Sequence, residues 1–206
     1  MAEEPESIKI TLIGNSGVGK TSIINQYIDQ TFDEANAATI GANYSEKVIT
    51  KNNKEYELNI WDTAGQEKFH AVGKHFYKDA YIVCLVYDIT SQDSLEQLET
   101  IWYPDIKKYG EKYTILAVVG NKSDLYENDN LADENQAKEF AQSINATFML
   151  TSAKTGDGIE KLFDTLVDKF LSSDFNSKYK EMKQIKGEIK VLKPNEGEKK
   201  KKKGFC

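Results

Sequence analysis

Apolar positions along the chain recur in two rhythms. Ile8, Ile10 and Leu12 alternate with Lys9 and Thr11, a period of two that predicts a strand over Ile8–Ile13. Ile23, Ile24, Tyr27 and Ile28 then recur along one face of a helix that ends near Gln30. From Phe32 to Gly41 the sequence is polar with small residues, a loop too long to be mere connection. Tyr44–Thr50 and Glu55–Asp62 predict two strands of a hairpin around Lys51-Asn52-Asn53-Lys54, with Tyr56, Leu58 and Ile60 on one face. Tyr81–Tyr87 and Ile115–Val119 are near-continuous apolar runs, as in strands covered on both faces. Between them a helix from about Ser91 carries Leu95, Leu98, Ile101 and Trp102, and Pro104 should kink or split it. Ala137, Phe140, Ala141 and Ile144 mark a later helix, and Phe148–Leu150 a short strand. Ile159, Leu162, Phe163, Leu166, Val167, Phe170 and Leu171 hold the helical period through a last helix. Strands alternating with helices predict a three-layer α/β domain with a mostly parallel sheet.

In such folds ligands sit outside the carboxyl ends of the strands. Four polar clusters fall at four predicted strand ends. After Ile13 comes Gly14-Asn15-Ser16-Gly17-Val18-Gly19-Lys20-Thr21, followed by Ser22, a full match to the phosphate-cradling pattern G-x-x-x-x-G-K-[ST]. Its glycines let successive N–H groups turn toward anionic oxygens, Lys20 supplies a mobile charge for the β- and γ-phosphates, and the Thr21 hydroxyl can hold Mg²⁺. Asp62-Thr63-Ala64-Gly65 ends the second hairpin strand, with Asp62 placed to hold the Mg²⁺ shell and Gly65 open for its N–H to approach a γ-phosphate. Asn121-Lys122-Ser123-Asp124 follows the buried strand ending at Gly120. There Asp124 can accept from guanine N1–H and N2–H₂, a donor pair adenine lacks, and a buried carboxylate left unpaired makes that discrimination large. Ser152-Ala153-Lys154 can close the base pocket, with the Ala153 N–H toward guanine O6. Singly these strings are weak; in order, each at a strand end, they converge on one nucleotide.

Composition narrows the class. The 206 residues allow one ordinary domain plus a tail, and 39% apolar residues support a sizeable core. No run of apolar residues is long enough to span a bilayer, and Met1–Ser7 is acidic without an apolar centre, unlike a secretory signal. Cys84 and Cys206 make no disulfide framework; Cys84, inside an apolar run, is expected to be buried and inert, in a reducing, cytosolic setting. His70 and His75 have no ligand pattern around them and are expected at the surface or in packing. Net charge is −6, but residues 174–206 hold eleven lysines against five acids while the rest holds sixteen lysines against twenty-eight acids. An acidic body with a basic tail argues against nucleic acid on the body and for an anionic surface at the tail.

Over residues 8–172 the chain resembles the Ras superfamily of small GTPases, and within it the Rab branch. The Rab likeness rests on Ile40-Gly41-Ala42-Asn43-Tyr44, Leu58–Glu67, Phe76-Tyr77-Lys78-Asp79-Ala80 and Val86-Tyr87-Asp88-Ile89-Thr90, and Lys68-Phe69-His70-Ala71 leans toward the endosomal group. The resemblance implies a P-loop NTPase fold with a six-stranded, mostly parallel sheet flanked by helices, binding GTP or GDP with Mg²⁺. It implies roles too: Phe32 stacks on the guanine, Thr39 ligates Mg²⁺ and meets the γ-phosphate, and Gln66 orients the attacking water. It also assigns Lys20, Thr39, Gly65 and Gln66 to catalysis, and Tyr44, Trp61 and Phe76 to an aromatic triad that effectors read. Tyr44 stands where the family usually has Phe, and Ser16 where Ras has Gly, as Rabs commonly do. No arginine occurs anywhere, so no arginine finger acts in cis; by analogy with Ras, intrinsic turnover is expected on the order of 10⁻⁴ to 10⁻³ s⁻¹.

The expected organisation is a disordered lead over 1–7, a GTPase domain over 8–173 and a flexible basic tail over 174–206. Lys199–Lys203 followed by Gly204-Phe205-Cys206 predicts polybasic attraction to an anionic leaflet together with a lipid on Cys206. Rabs usually end in two prenylated cysteines; here there is one. The expected partners are guanine nucleotide, an exchange factor, a GAP, a GDP-dissociation inhibitor, effectors and a membrane surface. The protein is expected to be a monomer on the cytosolic face of endomembranes in vesicle-mediated transport. Two other classes compete: a P-loop phosphotransferase on a small metabolite, which leaves Asn121-Lys122-Ser123-Asp124 unexplained, and a binding-only pseudo-GTPase, against which Thr39, Asp62, Gly65 and Gln66 argue.

Overall fold

In the computed structural model, residues 6–35, 39, 41–64, 77–111, 113–127 and 130–172 are described. The expectations placed on Gly65, Gln66, the two histidines, Phe76, the 174–206 tail and Cys206 lie outside them. The strands are β1 (Glu6–Ile13), β2 (Ala42–Lys51), β3 (Lys54–Thr63), β4 (Ile82–Asp88), β5 (Ile115–Asn121) and β6 (Thr147–Thr151). The helices are α1 (Lys20–Asp29), α2 (Gln92–Gln97), α3 (Tyr103–Tyr109), α4 (Glu134–Ser143) and α5 (Ile159–Leu171).

One six-stranded sheet runs in the order β2-β3-β1-β4-β5-β6. Only β2 is antiparallel to its neighbour; the other pairs are parallel, as the alternating sequence pattern requires. Glu6 and Ser7, which the sequence assigns to the disordered lead, instead extend β1 and pair with Tyr56 and Glu57 of β3. The hairpin turn has Asn52 at φ 52° and Asn53 at φ 60°, the two left-handed residues that a tight turn between twisted strands needs.

Every residue of β4 is buried, because helices cover both faces of the sheet. Val83, Leu85 and Tyr87 of β4 enter a core with Leu95, Ile106, Ala137 and Phe140 from α2, α3 and α4. Cys84 is fully buried, and burial pushes its thiol up to about 12, so it is a small apolar packing residue. Tyr27 of α1 stacks on Phe163 of α5 with ring centroids 3.8 Å apart. Lys47 of β2 lies 3.7 Å from the Tyr27 ring centroid and 3.5 Å from Glu160, so the edge hairpin is tied to this layer.

The break expected at Pro104 is a π turn over Leu98–Trp102 between α2 and α3. Proline has no N–H for the carbonyl four residues back, and the change of register falls just before it: the Tyr103 N–H donates to Leu98, five residues back. This corrects the expected apolar face, because Ile101 turns to solvent while Trp102 goes inside. Contacts divide the chain into Met1–Phe170 and Leu171–Cys206, and only Leu171 and Ser172 of the second are described.

Candidate functional site

β1 is central, and the carboxyl ends of β1, β3, β4, β5 and β6 all open on the same edge of the sheet. There a cavity of about 420 Å³ is lined by Ser16, Gly17, Gly19, Lys20, Thr21, Ser22, Phe32, Thr39, Asn121, Lys122, Asp124, Ala153 and Lys154. Every one of these was read from the sequence. Asp33, Glu34 and Leu125 also line it and were not, and Thr63 was read only as a member of the Asp62–Gly65 cluster, with no role of its own.

The phosphate loop owes its path to two glycines with no room for a side chain. A Cβ on Gly14 (φ 139°) would lie 2.1 Å from the Val86 carbonyl oxygen, and one on Gly19 (φ 95°) 2.3 Å from Asn121 Nδ2. Lys20 is buried, and its Nζ donates to the Gly14 and Asn15 carbonyls at 2.8 Å each. Burial holds this ammonium down to about 8, against the opposing pull of the Asp62 charge. Gly14, Asn15 and Val18 belong to the loop but not to the cavity lining.

Asp62 reaches the site from β3, where it is opposite Leu12 of β1 and Asn43 of β2. Its Oδ2 accepts from Thr21 Oγ1 at 2.7 Å and Thr39 Oγ1 at 3.2 Å, and the two hydroxyls are 2.8 Å apart. Its Oδ1 is buried with no hydrogen-bond partner. Burial raises the Asp62 pKa, which the Thr21 hydrogen bond, the Lys20 charge and the Thr39 hydrogen bond oppose. An orphaned carboxylate oxygen beside two hydroxyls is a set of hard oxygen donors, and it fits a hard divalent cation. Among the described residues there is no cluster of three or more His, Cys, Asp or Glu that could hold a metal ion.

At the opposite end Asn121 joins three segments. Its Nδ2 donates to the Val18 carbonyl at 2.9 Å, and its Oδ1 accepts from Thr151 Oγ1 and from the Ala153 N–H, each at 3.2 Å. The Ala153 amide, which the sequence aims at guanine O6, thus has a side-chain acceptor within the protein. Asp124 Oδ1 accepts from Ser152 Oγ at 2.6 Å. Asp124 is exposed, not buried as the sequence argument assumes, because it sits on the short 3₁₀ turn Ser123–Leu125 at the cavity mouth. Phe32 is exposed on the far rim, and Lys154 reaches Glu34 at 3.9 Å.

Sequence reasoning assigned no role at the site to Asp88. Its Oδ2 lies 2.6 Å from Lys122 Nζ, and its Oδ1 accepts from the Thr90 N–H at 2.9 Å and the Thr90 hydroxyl at 2.7 Å. The available signal was its place: a carboxylate ending the apolar run of β4, as Asp62 ends β3. Away from the cavity, Tyr44 is exposed beside Trp61 with ring centroids 5.0 Å apart, and its hydroxyl bonds Glu46 and Asn59.

The model of the Ras family matches residues 9–172. Ras-related protein Rab-31 of Rattus norvegicus is 39% identical over 156 residues, 76% of this chain and 79% of that protein. Ras-related protein RabC of Dictyostelium discoideum is 38% identical over 180 residues, 85% and 90% of the two chains. Ras-related protein Rab-30 of Homo sapiens is 38% identical over 164 residues, 80% of each. With a phosphate loop, a hydroxyl–carboxylate cluster and a base-end carboxylate on one edge of this sheet, the chain belongs to the Ras family, on its Rab branch, and is a guanine-nucleotide-binding small GTPase of membrane trafficking.

Proposed function

We propose that the cavity grips GDP or GTP together with Mg²⁺ and that hydrolysis of the bound GTP resets the protein as a switch. The observation that carries this reading is Asp62: one oxygen gathers the Thr21 and Thr39 hydroxyls while the other is buried without a partner. Thr21, Thr39 and Asp62 would hold the ion, which neutralises charge on the β- and γ-phosphates when bound. The loop Gly14–Thr21, with Ser22, turns N–H groups and the Lys20 ammonium to the phosphates. Lys20 is pre-paid for that work, since its charge is already desolvated against two carbonyls. Phe32 covers the base, Asp124 accepts its N1–H and N2–H₂, and Ser152, held on Asp124, fixes the carboxylate's direction. Asn121 and Ala153 complete the base end, and Lys122 and Lys154 flank it. The Gly65 N–H and Thr39 meet the γ-phosphate, and Gln66 aligns the attacking water.

Tyr44 and Trp61, with Phe76, form the surface for effectors and regulators; exposure of Tyr44 supports contact over core packing. The Lys199–Lys203 run and a lipid on Cys206 hold the protein, as a monomer, on the cytosolic face of an endomembrane. Among the described residues no helix is long and apolar enough to cross a membrane. The test is single-turnover hydrolysis of GTP by the wild type and by Gln66→Leu. Slow hydrolysis that Gln66→Leu largely abolishes with nucleotide binding intact supports the reading; an unchanged rate removes the role given to Gln66.

A further inference from the structure

We propose that Trp102 is a positioning residue for the phosphate loop, acting through Asn15 to set the rate at which nucleotide leaves. This rests on the reading above that Gly14–Thr21 hold the phosphates. Trp102 is 4% exposed and packed in the core with Leu98, Ile106 and Tyr77. Its indole Nε1 donates to Asn15 Oδ1 at 2.8 Å, across 87 residues of sequence. An indole N–H can only donate, so this bond sets the direction of the Asn15 side chain. On its other side Asn15 offers its carbonyl to Lys20 Nζ at 2.8 Å. One residue thus links a rigid core side chain to the lysine of the phosphate loop.

The loop needs such a link. Gly14 (φ 139°) and Gly17 (φ 80°) flank Asn15 and Ser16, and glycine holds a backbone path only weakly by itself. The register that delivers the indole is equally particular. In a continuous α-helix the turn before Pro104 would close four residues back; here the Tyr103 N–H closes on Leu98, five back, and Trp102 points inward while Ile101 turns out. Single wide turns of this kind inside helices are frequent at functional sites.

The experiment measures release of fluorescently labelled GDP from the full-length protein in Mg²⁺, together with the ³¹P resonance of the bound β-phosphate. Trp102→Phe keeps a buried ring and deletes the donor. It should speed release about three- to tenfold, the scale of one neutral hydrogen bond, and shift the ³¹P signal. Asn15→Ala should do the same, and the double variant no more than the faster single variant. Ile106→Val, a core trim that leaves the indole bond in place, should lower the unfolding midpoint without changing release or the phosphorus signal. Release within twofold of wild type with an unmoved ³¹P signal overturns the proposal, and so do single-variant effects that multiply in the double. If Trp102→Phe does not fold, Asn15→Ala decides by the same two readouts. A wild type that does not retain GDP overturns the phosphate-loop reading itself, and this inference with it.

Discussion

Asp88→Ala tests whether the Lys122 end of the cavity is held by a carboxylate that does not itself line it. Its Oδ2 contacts Lys122 Nζ at 2.6 Å, and its Oδ1 takes both the N–H and the hydroxyl of Thr90. The ion pair is partly screened: the Lys122 side chain is 34% exposed and that of Asp88 12%. Lys122 freed from Asp88 therefore hydrates, so the loss stays well below that of a fully buried pair, which is about 3–5 kcal/mol. Net of that screening, the pair is expected to contribute about 1–2 kcal/mol to holding Lys122 at the cavity wall, a factor of about 5 to 30 in nucleotide affinity. Isothermal titration of GDP against wild type, Asp88→Ala, Lys122→Ala and the double variant measures it as a cycle. The account expects a coupling of about 1 kcal/mol or more between the two positions. Additive effects would refute it, and so would an Asp88→Ala protein whose lost affinity equals its lost folding stability.

Three further outcomes follow from named contacts. Asp124→Asn removes the carboxylate proposed to accept two guanine donors, so GTP affinity should fall about 100-fold or more in a competition assay, with little change in the unfolding midpoint because Asp124 is exposed. Phe163→Ala removes the ring stacked on Tyr27 and should cost about 3–5 kcal/mol in urea unfolding. Asn53→Gly relieves a left-handed residue at φ 60° in the hairpin turn and should raise Tm by a few degrees, about 0.5–1 kcal/mol, with nucleotide binding unaffected.

Much of the site was legible because it is written in short strings at strand ends, where period-two apolar runs stop. Gly14–Thr21 carries its own backbone requirements, and the Val86 and Asn121 atoms that crowd Gly14 and Gly19 show why glycine stands there. Asp88 was not legible as a site residue, since a single carboxylate after an apolar strand has no string around it, and its partner Lys122 is 34 residues away along the chain. Trp102 was legible only as core: whether an indole N–H faces a loop depends on a π turn, and a 3.6-residue period cannot foresee that. The same turn put Ile101 outside. The exposure of Asp124 was missed because motif reasoning treats a base-reading carboxylate as buried, whereas Asp124 sits on a short 3₁₀ turn at the surface.

A hydroxyl–carboxylate cluster and a glycine loop that grip a guanine nucleotide through Mg²⁺ must make its binding both base-selective and metal-dependent. The most direct measurement is the affinity for GTP and for ATP, each with Mg²⁺ and with the metal chelated. The account predicts GTP bound far more tightly than ATP, and a steep loss on chelation that Asp62→Ala reproduces in the presence of Mg²⁺. Equal affinity for the two nucleotides, or binding of GTP that chelation leaves unchanged, would contradict it.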